Sequence, residues 1–268
     1  MGKVICVNNN KGGVLKTTTV TNLAGVIATY RKKVLIIDAD NQSNVSVAFG
    51  KNPDDFRTSL YDVLMGNVPA EDAIYSAYEY IDVLPSNREL TGFEFDVLSN
   101  TKKYPEPFFL MVDTLTPILG YYDYILIDTP PSLGLMNGNV FTFSDYVIIP
   151  SSPELFAYRS LIEVIDTIHM FKNRQNPSLE ILGILPTLVK NRTNLHSRVI
   201  QETNKLAYER GIPVFDTAIT QTVQFTNSIL NNGIPATLLP EKKRDKAELY
   251  FNLWNEIEPN ILNEVTSQ

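Results

Sequence analysis

Val4-Ile5-Cys6-Val7-Asn8-Asn9-Asn10-Lys11-Gly12-Gly13-Val14-Leu15-Lys16-Thr17-Thr18-Thr19 stands near the start of the chain, and its reading decides the fold. The first four residues are apolar throughout, as a strand covered on both faces is. Residues 17–30 place Val20, Leu23, Ala24 and Ile27 on one helical stripe. Between strand and helix lies a polar loop with two glycines. Backbone N–H groups and the positive end of a helix dipole converge at such a junction, which makes it a seat for phosphate. Gly12 and Gly13 allow close backbone approach, Lys16 offers its ammonium to the outer phosphates, and Thr17 offers a hydroxyl to Mg²⁺. The strict phosphate-loop pattern is not met, because it asks for glycine where Asn10 and Leu15 stand.

Two further strand ends complete the chemistry. Residues 124–128 form an apolar run ending in Asp128, the carboxylate that a Mg²⁺ shell needs beside a phosphate loop. The run Val34-Leu35-Ile36-Ile37 ends in Asp38-Ala39-Asp40, whose second carboxylate can face a terminal phosphate and a water. The other expected strands are 3–8, 33–38, 81–85, 146–150 and 181–188. Helices are expected at 17–30, 108–119, 155–171, 197–210 and 246–257, with a weaker helical pattern at 87–100. This alternation predicts an α/β fold: a mainly parallel twisted sheet with helices on both faces. No repeat, low-complexity tract or linker interrupts it, so residues 1–268 read as one domain.

Composition narrows the function. A net charge of −7 and a pI near 5.0 confine any nucleic-acid contact to a local patch. Two candidates exist: Lys190, Arg192, Arg198, Lys205 and Arg210 on or beside one helix, and Lys242, Lys243, Arg244 and Lys246 near the C-terminus. On one shared face they would track a DNA backbone without sequence preference. The lone Cys6 fits a reducing compartment and excludes a cysteine-held iron–sulfur cluster. His169 and His196 are too few for a histidine metal site. The aromatics Tyr75, Tyr78, Tyr80, Phe93 and Phe95 lack basic neighbours in sequence and are assigned to packing. No leader and no run of about 18 apolar residues is visible, so a cytoplasmic protein is expected.

With these residues together, the sequence resembles the deviant Walker A ATPases of the ParA/MinD group, and within it the ParA-type partition ATPases. Lys11 through Thr19 and Asp38-Ala39-Asp40-Asn41-Gln42 carry the likeness, joined by Tyr61–Leu64, Leu84-Pro85-Ser86-Asn87, residues 122–134 and Arg192-Thr193-Asn194-Leu195. The resemblance implies a P-loop NTPase fold that binds ATP and Mg²⁺. It assigns Lys11, Gly12, Gly13, Val14, Leu15, Lys16, Thr17 and Thr18 to the nucleotide, Thr17, Asp40 and Asp128 to the metal, and Lys11, Lys16 and Asp40 to hydrolysis. Lys11 is then the signature lysine that reaches the phosphates of a second subunit, so that ATP joins a homodimer. Slow hydrolysis, non-specific DNA binding by the ATP-bound dimer at the nucleoid, and stimulation by a ParB-like centromere-binding partner follow from the same likeness.

Three positions depart from the family. Leu15 replaces a glycine, Asn41 replaces a proline, and residues 219–223 lack a Pro-Arg pair. Leu15 is expected to meet backbone resistance of about 1–2 kcal/mol if it must adopt the left-handed conformation, and Asn41 to loosen the loop after Asp40. A hydrolysis-deficient, nucleotide-gated module is therefore the alternative function. A MinD-like membrane-positioning protein is the lesser one, because the C-terminus, Asn255-Glu256-Ile257-Glu258-Pro259, is acidic and reads as broken by proline.

Overall fold

The computed structural model describes residues 2–154, 157–189 and 194–265. In chain order the elements are β1 (Lys3–Val7), α1 (Lys16–Thr29), β2 (Val34–Asp38), α2 (Asn44–Ala48), α3 (Leu60–Leu64), β3 (Tyr75–Tyr78), β4 (Ile81–Leu84), α4 (Phe93–Leu98) and α5 (Leu110–Leu115). They continue with β5 (Tyr124–Asp128), α6 (Leu135–Phe143), β6 (Tyr146–Ser151), α7 (Ala157–Arg174), β7 (Glu180–Val189), α8 (Asn194–Arg210), β8 (Ile219–Thr220), α9 (Gln224–Asn232) and α10 (Glu248–Val265). The strands form one sheet in the order β3-β4-β2-β5-β1-β6-β7-β8, parallel except for the β3–β4 pair. The expected fold class is the observed one.

Strand alternation sorts the core into two layers. Ile5 and Val7 join Ile36, Leu126 and Ile148 under α1, α2, α9 and α10. Val4 and Cys6 face the other way with Leu35, Ile37, Ile127 and Val147, under α3 to α8. Burial pushes the Cys6 thiol up to about 12, so it stays a neutral hydrophobe.

Two differences from the sequence reading have clear causes. Helix α6 carries no polar face because all nine of its residues are buried, so it has no period to detect. Pro259 does not end α10, which runs on to Val265. An interior proline costs about 3 kcal/mol. Burial of Ile257 and Ile261, at 0% and 1% exposure, returns about 1.5–3 kcal/mol each and outweighs it. The apolar face of α10 is thus core, with Trp254 edge-on to Tyr124 at 4.9 Å.

Helix α1 is held to its layer by a close approach. Thr237 donates through Oγ1 to the Asn22 carbonyl at 2.9 Å, and a Cβ built on Gly25 would lie 2.2 Å from that oxygen. Alanine gains about 1 kcal/mol of helix propensity over glycine, whereas overpacking costs about 1–3 kcal/mol and a hydrogen bond is lost besides. Gly25→Ala is therefore expected to lower stability by about 1–2 kcal/mol in urea denaturation. A more stable variant would show that the contact relaxes freely.

Candidate functional site

Parallel register brings the decisive residues to one level. Val7 pairs with Asp128 across β1–β5, and Asp38 pairs with Asp128 across β2–β5. The loop leaving β1 therefore emerges beside the end of β5 at Asp128, with the end of β2 at Asp38 one strand further along. Two buried asparagines tie it down. Asn8 donates to Thr129 Oγ1 at 3.0 Å and Asn137 Oδ1 at 2.7 Å, while Asn9 donates to the Pro150 carbonyl at 2.7 Å and accepts the Lys11 N–H at 2.9 Å. These anchors escaped the sequence reading. Their only signal was a polar run directly after an apolar strand.

The turn into α1 is made by Leu15 at φ 68° and ψ 31°, the left-handed conformation expected to be costly for leucine. Leu15 meets it while packing against the core layer around α1. No side chain caps α1 and no acid lies in its first turn, so its free N–H groups are left for an anion. Gly13 has φ +75°, and a Cβ added to Gly12 or Gly13 would meet nothing within 4 Å. Both face the open side of a cleft of about 370 Å³, which Leu15, Lys16, Thr17, Thr18, Asp40, Val47 and Ile229 also line.

Beneath the loop the polar groups converge. Thr17 donates to Asp128 Oδ2 at 2.5 Å, and Lys16 Nζ folds back to the Lys11 carbonyl at 3.0 Å. Burial lowers the Lys16 pKa, opposed by the charges of Asp128 and Asp40. Burial raises the Asp128 pKa, helped by Asp40 and resisted by the Thr17 hydrogen bond and Lys16. The other oxygen, Asp128 Oδ1, is buried with no hydrogen-bond partner. Among the described residues no three His, Cys, Asp or Glu side chains form a metal cage. One carboxylate and one hydroxyl beside a phosphate cradle is instead a Mg²⁺ donor set, since that ion keeps waters and takes substrate oxygens. The residues present fit the ion.

Asp38 and Asp40 divide their work. Asp38, fully buried, accepts the N–H groups of Asp40 at 3.2 Å and Val45 at 3.1 Å, and so shapes the loop that carries its neighbour. Burial first, then the Asp128 charge, pushes its pKa well up. Asp40 is the one that lines the cleft. The expected looseness at Asn41 is countered by side-chain bonds: Asn41 donates to Thr91 Oγ1 at 2.9 Å, and Ser86 donates to the Asp40 carbonyl at 2.6 Å.

Lys11 stands at the rim and forms an ion pair with Glu154, a residue with no signal in the sequence pattern. The described members of the two basic clusters do not share one layer. Helix α8 packs through Leu206 and Ala207 on one layer, whereas the 242–246 segment adjoins Ala247 and Phe251 on the other. Arg210 pairs with Asp166, Lys205 with Glu209, Arg244 with Glu248 and Lys246 with Asp245. Lys190 and Arg192 lie outside the described residues, as do the side chains of His196 and Arg198. His169 is half-buried on α7.

Comparison with known proteins places the chain. The family model described as an AAA domain matches residues 2–181. The Myxococcus xanthus chromosome partitioning protein ParA is 33% identical over 96% of this chain and 88% of its own length. The chain belongs to the ParA family of ATPases. A second ParA-family relative, the Bacillus subtilis sporulation initiation inhibitor protein Soj, is 34% identical over 97% of this chain and all of its own. Among solved structures, a protein described as a Borrelia burgdorferi B31 plasmid partition protein bound to AMPPNP superposes with a TM-score of 0.78. It shares 28% identity, covering 97% of this chain and 100% of that one. Among the described residues of the ParA-family chain, no helix is long and apolar enough to cross a membrane.

Two outcomes test the site. A carboxylate with a raised folded pKa binds more protons folded than unfolded between its ordinary value of about 4 and its raised one, so stability falls as pH rises through that window. The ligand-free protein is expected to be more stable at pH 5 than at pH 8, and Asp128→Asn to flatten that slope and raise the melting temperature at pH 8. An unchanged slope would place the ionised Asp128 in a comfortable environment. At Leu15, glycine removes about 1–2 kcal/mol of backbone strain and loses a similar amount of partial burial. Leu15→Gly is expected within about 1 kcal/mol of the parent, and Leu15→Val, stiffer at a left-handed position, below both.

Proposed function

We propose that this chain is an ATP-dependent dimerising switch for plasmid or chromosome partition, with Mg·ATP seated in the cleft between the β1–α1 loop and Asp40. The observation that carries the reading is the Thr17–Asp128 hydrogen bond under the open backbone of Gly12 and Gly13, with Asp128 Oδ1 unpaired. Gly12, Gly13, Val14 and Leu15 present the loop amides, and Lys16 and Thr18 bind the phosphates. Thr17, Asp128 and Asp40 would hold Mg²⁺, which when bound would neutralise phosphate charge. Asp40, on the rigid loop that Asp38 organises, orients the attacking water and draws on its proton. Catalysis of this kind is alignment and charge neutralisation, so the isolated chain turns over slowly.

Lys11 exchanges Glu154 for the phosphates of a second copy, completing each site only in the dimer. The ATP-bound dimer binds DNA without sequence preference and associates with the nucleoid. A ParB-like centromere-binding protein stimulates hydrolysis in the cytoplasm. Because the described members of the two basic clusters, on α8 and at 242–246, lie on opposite layers, a continuous basic track through them would draw on both protomers. The hydrolysis-deficient alternative loses support from Leu15, which takes the conformation a glycine would take. The proline argument against the MinD-like alternative falls away, since α10 runs through Pro259, yet the burial of the α10 apolar face weighs against that reading.

Steady-state ATP hydrolysis, light scattering and DNA binding over a salt series test the whole. Mg·ATP is expected to double the mass of the parent but not of Lys11→Ala. Asp40→Ala should cut partner-stimulated turnover by about a hundredfold, and DNA binding should require ATP and weaken steeply with salt. Background turnover in every mixture would sink the enzyme reading, and equal masses for parent and Lys11→Ala would sink the shared site.

A further inference from the structure

At the far end of α1 from the phosphate loop, a second cavity of about 280 Å³ opens between three segments. They are the exit of α1 at Arg31, the β3–β4 hairpin tip Tyr78-Glu79-Tyr80, and the stretch from Thr237 to Arg244. Fourteen helical residues at 1.5 Å each put it about 20 Å from the first site. Its guanidinium groups are underused. Arg244 lies over the Phe251 ring at 4.4 Å with Nε buried and unbonded, its nearest acid, Glu248, being 3.7 Å away. Arg31 is exposed and has no ion pair among the described residues. Arg31 and Tyr80 hold left-handed backbones, at φ 58° and 64°, where α1 ends and the β3–β4 hairpin turns. Tyr78 and Tyr80 present ring surface at the rim, 39% and 38% exposed, and Glu79 is the one acid in the lining.

We propose that this cavity is a second ligand site that takes one nucleotide unit, its phosphate on Arg31 and Arg244 and its base against Tyr78 or Tyr80. Planar forks recognise phosphate oxygens in pairs, and phenol rings accept any base by stacking. The volume lies at the small end of ligand cavities, which suits a mononucleotide or a single residue of a strand and excludes a dinucleotide cofactor. Glu79 repels phosphate charge more strongly as that charge grows, so a phosphodiester or a monophosphate is preferred over a triphosphate. That preference is opposite to what a P-loop binds.

Ligand-observed NMR on the full chain, with the P-loop filled by excess Mg·ADP, tests this using AMP and an eight-residue oligothymidylate as separate probes. At least one probe is expected to bind, and Arg31→Gln and Arg244→Gln are each expected to weaken it about tenfold, the worth of one charge-assisted contact. Lys16→Ala should leave it unchanged while abolishing ATP binding, which separates this site from the first. AMP binding alone identifies a free nucleotide as the ligand, and oligonucleotide binding alone identifies a strand. Arg31→Glu, at an exposed position that folding tolerates, gives a second reading if Arg244→Gln melts early. Binding of neither probe, or binding that ignores both arginines and responds to Lys16→Ala, overturns the proposal.

Discussion

Two carboxylates forced into register deep in the sheet are the constraint around which the rest is arranged. Asp38 and Asp128 end adjacent parallel strands and are both fully buried. Neither is free to ionise at ordinary cost, because each loses water, while Asp38 also feels the charge of Asp128 and Asp128 that of Asp40. Nearby groups answer this tension differently. Backbone N–H groups satisfy Asp38 and in doing so fold the loop of Asp40. Asp128 receives the Thr17 hydroxyl from the first turn of α1 on Oδ2, and its Oδ1 is buried without a hydrogen-bond partner. A cation among these groups would relieve the tension that folding leaves behind, so ligand binding and core stability are linked through the same pair.

Much of this was legible in the sequence. The six inner strands announced themselves by short runs rich in Val, Ile and Leu, and the strand ends at Asp38 and Asp128 named the level of the site. Phosphate-loop chemistry was readable from Lys11, Gly12, Gly13, Lys16 and Thr17 even though Asn10 and Leu15 break the strict pattern. What escaped notice did so for physical reasons. Strand β3 alternates half-buried and exposed residues over four positions, and β8 has only two residues, so neither offers a run. A helix buried on every side, α6, has no stripe. Pro259 misled because propensity is local, whereas the burial of Ile257 and Ile261 is set by partners far along the chain.

The site shows the same division. Residues proposed to act on a ligand could be picked out by type, but those that hold them in place could not. Asn8 and Asn9 reach Thr129 and the Pro150 carbonyl, and Glu154 reaches Lys11, only because β5 and β6 flank β1, which is a fact of strand order. Asp38 and Asp40 are indistinguishable in one dimension, two residues apart after the same strand. Depth separates them, one turned into the sheet and one toward the cleft.

The close fit of Gly25 against Thr237 bears on the history open to such a chain. A methyl group at 25 is excluded while the hydroxyl at 237 stays in place, and that hydroxyl is bonded to the Asn22 carbonyl. Change at the two positions must therefore come in order, 237 first and 25 after, with a weakened intermediate between. Lineages that carry this pair inherit a ratchet: each residue guards the other from drift, although 212 positions separate them in sequence.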